Sequence, residues 1–201
     1  MTLSIGMATY DDYDGVYFSV MAIRLFHPEM AAESEIIVVD NHPDGPCAAG
    51  LKALENWVPG YRYVPFKRLQ GTAVRDAVFR EAAGEFVLCM DCHVMFAPGA
   101  LRQLLGYFCA RPDTPDLLQG PLVYDDLRTF STHMDRTWST GMYGVWGADE
   151  RAKDPAAPPF EIDLQGLGVF ACRKSAWPGL NPRLRGFGGE EGYLQEKFRR
   201  N

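Results

Sequence analysis

Along the first half of the chain, apolar positions fall in blocks that alternate between two spacings. Short apolar runs at Leu3–Ala8, Glu35–Val39, Tyr61–Pro65 and Phe86–Met90 read as strands. Between them, apolar residues return every three or four positions. Val16, Val20, Ile23 and Phe26 make one stripe within Val16–Phe26, and Ala73, Val74, Ala77 and Val78 make another within Thr72–Ala83. Ala48–Trp57 and Gly99–Cys109 also read as helices. Pro28 is expected to stop the first helix, Pro59-Gly60 to close the second and Gly84 to cap the third, while Pro98 opens the fourth, where its missing N–H costs nothing. Strands alternating with helices predict a mostly parallel α/β sheet.

Phe86–Met90 is the stretch around which this pattern is organised. Five unbroken apolar residues mark a strand buried on both faces, and it ends abruptly in Asp91 and, two residues on, His93. Ligands of open α/β sheets gather beyond the carboxyl ends of the strands, so this pair is the first place to look for chemistry. If the extended geometry persists, residues i and i+2 point to the same side. A carboxylate and an imidazole so placed suit Mn²⁺ or Mg²⁺, with substrate phosphates completing the shell. A capping aspartate beside a half-buried histidine is the plainer alternative. The same stretch contains Cys89-Met90-Asp91-Cys92-His93, which matches the haem-attachment and redox Cys-x-x-Cys patterns. Cys89 falls inside the strand, however, and reads as a small core residue.

The second half loses this regularity. Leu117–Val123 and Leu167–Cys172 read as strands and Glu190–Arg200 as a terminal helix, but 125–159 shows no sustained period and reads as a long irregular connection. Within it, Trp138, Tyr143 and Trp146 stand among glycines, a pattern that suits either a sugar-stacking platform or a core. Near the end, Arg185-Gly186-Phe187-Gly188-Gly189-Glu190-Glu191 joins a glycine-rich run to paired carboxylates at a helix start, where the dipole favours negative charge. Such a carboxylate can accept a proton from an attacking hydroxyl or hold acceptor hydroxyls.

Bulk properties narrow the function. With 201 residues the chain has the length of one domain, read as a nucleotide-binding half (1–110) and an acceptor-side half (111–201). Its formal charge of -6 disfavours unaided binding to nucleic acid. No apolar run reaches transmembrane length, and Met1–Ala8 lacks the basic start of a signal peptide. Five scattered cysteines argue against a disulfide framework and for a reducing, cytoplasmic setting. Neither a Gly-x-Gly-x-x-Gly motif after the first strand nor a P-loop is present. Phosphate must then be held by a metal and by basic groups such as Arg75, while Asp40 at the end of the second strand is placed to accept from a ribose or base.

The ordered set of motifs resembles the nucleotide-sugar glycosyltransferases of the A fold, within the broad family 2 class. Leu3–Tyr10 looks like the first strand of that fold and Glu35–Asn41 like the second, whose aspartate contacts the nucleoside. Gly71–Asp76 resembles the helix start whose arginine lies near the donor, and Asp91-Cys92-His93 stands where the family has Asp-x-Asp. The histidine variant, with Gly166–Phe170 and Phe187–Glu191, is more similar to the polypeptide N-acetylgalactosaminyltransferases, and the last segment also to β-1,4-galactosyltransferases.

The resemblance implies a single-domain α/β fold, Rossmann-like, with a mostly parallel central sheet flanked by helices. It also implies metal-dependent transfer of a sugar from a UDP-sugar to a hydroxyl acceptor, be that glycan, protein or modified nucleic acid. Thr9, Tyr10, Asp12, Asp40, Arg75 and Asp91 are then the donor-binding candidates, and Asp91 and His93 the ligands of Mn²⁺ or Mg²⁺. Glu190 corresponds to the acceptor-binding carboxylate and Glu191 to the catalytic base of inverting relatives. The relatives are longer and carry a third ligand, a histidine, beyond the terminal helix, whereas this chain has no histidine after His133. Either the acceptor-side segment is missing or the metal shell is incomplete, and a sugar-nucleotide-binding module or a nucleotidyltransferase are the competing functions.

Overall fold

The computed structural model describes residues 2–184 and 189–200, so Arg185–Gly188 of the expected glycine-rich motif lies outside the described residues. The first half runs β1 (Leu3–Thr9), α1 (Tyr13–Phe26), α2 (Pro28–Glu33), β2 (Glu35–Asp40), α3 (Ala48–Ala53), β3 (Tyr61–Pro65), α4 (Arg75–Glu81), β4 (Phe86–Met90) and α5 (Ala100–Ala110). The second half adds β5 (Leu122–Val123), β6 (Phe130–Ser131), β7 (His133–Ser139), β8 (Met142–Gly147), β9 (Val169–Arg173) and α6 (Glu190–Arg200). Five strands form the central sheet in the order β3-β2-β1-β4-β9. The first four are parallel and β9 is antiparallel to β4, pairing Met90 with Val169 and Phe86 with Arg173. The expected α/β fold with a mostly parallel, helix-flanked sheet is the fold observed.

Strand alternation splits the core in two. Leu3, Ile5 and Met7 of β1, Ile36 and Val38 of β2, and Leu88 and Met90 of β4 share one face with Val16, Val20 and Ile23 of α1 and Phe108 of α5. Ile37, Val39, Val87 and Cys89 share the other with Ala77 and Val78 of α4 and Leu194 of α6. Burying each large side chain contributes about 1.5–3 kcal/mol. Gly6 is where α4 meets β1: a Cβ there would stand 2.1 Å from Val78 Cγ1, so the helix rests directly on the strand backbone.

Local chemistry shifts several expected boundaries. α1 starts at Tyr13 rather than Val16 because the Asp12 carboxylate caps it, accepting from the Gly15 amide at 2.9 Å. Pro28 opens a second short helix instead of merely ending the first. The helix expected over Ala48–Trp57 is α at Ala48–Ala53 and then a 3₁₀ turn, Leu54–Asn56. Thr72–Ala83 likewise divides into a 3₁₀ turn, Gly71–Val74, and α4.

Gly84 caps nothing: it lets the chain pass β1, where a Cβ would lie 2.7 Å from the Ser4 amide nitrogen. Of the strand expected over Leu117–Val123, only Leu122–Val123 and a bridge from Leu118 to Ala171 form. The largest departure is at 125–159, expected to be irregular, where β7 and β8 form an antiparallel hairpin through Thr140 and Gly141, both at positive φ. Among the described residues no helix is long and apolar enough to cross a membrane.

Candidate functional site

The carboxyl edge of the sheet is built from the ends of β1, β2 and β4. After β1 the chain turns through Asp11, at φ 52, whose Oδ1 accepts from the Cys47 amide at 3.1 Å and ties the loop to the start of α3. Thr9 is buried and its hydroxyl donates to the Asp12 carbonyl at 3.4 Å. Asp12 serves as the α1 cap; a Cβ on Gly15 would come within 2.3 Å of its Oδ2, so a glycine is needed there. Tyr10 lies parallel to the His42 ring, centroids 4.8 Å apart, with two thirds of its surface exposed. This stack joins the β1 and β2 loops and leaves an aromatic face open at the edge.

Asp40 ends β2 fully buried, with both carboxylate oxygens engaged. The His42 amide donates to Oδ1 at 2.8 Å, and the Tyr63 hydroxyl, from β3, donates to Oδ2 at 2.7 Å. Burial, reinforced by this bond, pushes the Tyr63 phenol well above its usual range and keeps it a donor. Tyr63 and His42 were not among the sequence candidates. The available signal was their place, one on the β3 position paired with Val38 and the other two residues past the strand-terminal aspartate.

Beyond β4 stands Asp91, whose amide donates to the Gly168 carbonyl at 2.7 Å. Arg75, the first residue of α4, reaches across and its Nη2 lies 2.6 Å from Asp91 Oδ1, with the guanidinium far less exposed than the carboxylate. Gly168 has no side chain in the way; a Cβ there would be 3.2 Å from Asp91 Oδ2. His93 departs from expectation. The strand ends at Met90 and His93 has φ 60, so the alternation that would set Asp91 and His93 on one side stops before reaching it. Its imidazole is exposed and its Nδ1 lies 4.0 Å from Asp12 Oδ2.

The donor set of Asp91 and His93, one carboxylate and one imidazole, fits the chemistry of a hard to borderline divalent ion. It is not a complete shell: among the described residues no three His, Cys, Asp or Glu side chains come together as a metal-binding group. Both cysteines of the Cys-x-x-Cys pattern are buried and unpaired. Burial pushes the thiols of Cys89 and Cys92 up to about 12.

The start of α6 faces the same region. Glu190 is buried and its Oε1 accepts from the Thr72 hydroxyl at 2.7 Å, tying α6 to the turn that leads into Arg75. Glu191, its neighbour, has its carboxyl pushed up by burial and by the charge of Glu190, while Arg75 pulls the other way. Arg75 and Asp91 are paired across two elements, and Glu191 on a third lies within the field of Arg75. Tyr143 of the hairpin borders α6, packed 3.8 Å from where a Cβ of Gly192 would stand.

The model of "Glycosyl transferase family 2" matches residues 4–157 of this chain. The chain belongs to that family. Among solved structures, this family 2 chain is similar to S. aureus TarS 1-349, with a TM-score of 0.63 and 14% identity over 98% of this chain and 55% of that one. It is also similar to GalNAc-T7 with UDP, GalNAc and Mn²⁺, with a TM-score of 0.71 and 16% identity over 98% of this chain and 40% of that one. The chain thus spans about half the length of the solved structures it resembles. At these identities the likeness establishes a shared A fold. Compared with curated proteins, the chain matches none.

Proposed function

We propose that this family 2 chain transfers a sugar from a UDP-sugar to an acceptor hydroxyl. The observation that carries the reading is the Arg75–Asp91 ion pair at the carboxyl edge of a parallel sheet, where α/β folds bind their ligands, with the start of α6 tied through Glu190 and Thr72 to the turn before Arg75. Arg75 supplies a cation for the diphosphate, and the open face of Tyr10, stacked on His42, is offered to the nucleoside, with Asp40 fixing the His42 backbone beneath it. Asp91 and His93 are the side chains that would hold Mn²⁺ or Mg²⁺. Such an ion, when bound, offsets charge on the departing diphosphate.

Glu191 is the proton acceptor. A carboxyl whose pKa is raised by burial is the stronger base once ionised. The acceptor oxygen forms a bond to the anomeric carbon as the bond from that carbon to the diphosphate oxygen breaks. The bonding pair leaves with UDP, and the hydroxyl proton passes to Glu191. Glu190, engaged by Thr72, positions the first turn of α6 rather than touching the reacting atoms.

Calorimetry with UDP, GDP and CDP, each with and without Mn²⁺, tests the donor assignment. UDP is expected to bind more tightly with the metal, and Asp91→Ala to remove that gain. No binding of UDP in either condition refutes it. Turnover of UDP-sugars, with the anomeric configuration of the product read by NMR, tests the role of Glu191: Glu191→Gln should keep UDP affinity and lose turnover.

A further inference from the structure

The donor site as described leaves the β7–β8 hairpin without a task. Trp138 is 72% exposed, and Tyr143 and Trp146 are each exposed over more than a third of their surface. Two of the three rings touch segments that border the site. Trp146 lies on Gly166, 2.8 Å from where its Cβ would stand, and the chain then passes Asp91 at Gly168. Tyr143 lies on Gly192, in the turn that carries Glu191. Trp138 pairs with Tyr143, centroids 5.4 Å apart and planes 56° to each other, and is the most exposed of the three. In a regular strand residues three apart face opposite sides. Gly144, at φ 107, breaks that alternation, so Tyr143 and Trp146 both reach the body of the domain.

Exposed aromatic rings beside a candidate reaction centre mark a ligand surface. The indole of Trp138, 72% exposed, offers an apolar face that a pyranose ring can cover. Asp135, Arg136, Thr137 and Ser139, all exposed on β7, add polar groups for hydroxyls. We infer that the hairpin face carrying Trp146, Tyr143 and Trp138 is the acceptor subsite. Its ligand is a neutral saccharide whose pyranose ring offers a face of C–H bonds, rather than a polypeptide. This inference rests on the transfer reading above.

Intrinsic tryptophan fluorescence tests it. The protein is titrated with neutral oligosaccharides ending in β-glucopyranose or β-galactopyranose and, separately, with serine- and threonine-containing peptides. Both series are run with and without UDP and Mn²⁺. The saccharide is expected to shift the emission, Trp138→Ala to abolish the shift, and Trp138→Phe to retain part of it. With a saccharide acceptor, Trp138→Ala should raise KM roughly tenfold, the loss of one stacking face, with little change in kcat. A response to peptide alone, no response in any condition, or a saccharide response that survives Trp138→Ala overturns the inference. Calorimetry with UDP separates the two readings: wild-type protein that fails to bind UDP strikes the donor assignment, whereas the donor-free titration judges the hairpin by itself.

Discussion

Replacing Gly6 by alanine probes the contact on which the geometry of the site depends. Gly6 has an ordinary backbone conformation for an L residue, so the substitution acts by volume alone. The new methyl would stand 2.1 Å from Val78 Cγ1 and 3.3 Å from Val78 Cβ, against the ~3.5–4.0 Å that carbon atoms prefer. Val78 is fully buried, so no rotamer change moves it clear, and α4 must lift from β1. Overpacking of this kind costs about 1–3 kcal/mol. Val78→Ala alone leaves a cavity and costs about 1–3 kcal/mol by loss of two methyl groups.

Together the two changes compensate, since the alanine methyl at position 6 occupies space that Val78 vacated. Urea unfolding of wild type, both single variants and the double variant should therefore give a coupling of about 1–2 kcal/mol, with the double variant more stable than the sum predicts. Additivity within about 0.5 kcal/mol would show that α4 does not rest on Gly6, and the reasoning fails. Because α4 begins with Arg75, the single variant Gly6→Ala should also weaken UDP binding, and Val78→Ala should restore part of it.

Four further outcomes are expected. The pKa of Glu191 is raised in the folded state, so the native protein binds more protons than the unfolded chain between the ordinary glutamate value and the raised one; stability falls as pH rises through that window. Glu191→Gln should accordingly raise the melting temperature relative to wild type at pH 7 and lose that advantage near pH 4, and the opposite trend refutes the sign. The Tyr61 hydroxyl is buried with no hydrogen-bond partner among the described residues, so Tyr61→Phe should leave urea stability unchanged or raise it by about 1 kcal/mol; a clear loss contradicts this.

Tyr63→Phe removes a donor from buried Asp40 and should cost about 1–3 kcal/mol in the same assay, with no cost meaning that the bond contributes nothing. Alkylation at pH 8 followed by mass spectrometry should label exposed Cys109 first and spare Cys89, Cys92 and Cys172 until the protein unfolds, because burial holds all three thiols protonated. Early labelling of Cys89 or Cys92 would revive a reactive Cys-x-x-Cys.

How legible the molecule was in its sequence varied with the kind of signal. Strands buried on both faces are nearly continuous apolar runs, so β2 and β4 stood out nearly to the residue. The reversed direction of β9 carries no such mark, since Val169–Arg173 reads the same whichever way it pairs. Hairpin β7–β8 was hidden because most of both strands is exposed and a bulge between Asp135 and Trp138 breaks the period. At the candidate site, Asp40, Arg75, Asp91 and Glu191 were singled out by chemistry at element ends. Of the partners, Tyr63 comes from a neighbouring strand and His42, only two residues past Asp40, carried no chemical mark; neither was a candidate. His93 shows the limit of spacing arguments: two residues apart means one side only while the backbone stays extended, and a left-handed turn ends that.

The direction of β9 has a consequence for how the chain can be altered. Since this edge strand runs against its neighbour, the segment entering it arrives beside Asp91 and the segment leaving it emerges at the opposite rim, next to Glu85. Residues 164–168 therefore sit at the edge that holds the candidate site, while the link after Arg173 does not. Extra residues inserted just after Arg173 should spare turnover, and a single residue added before Val169 should abolish it.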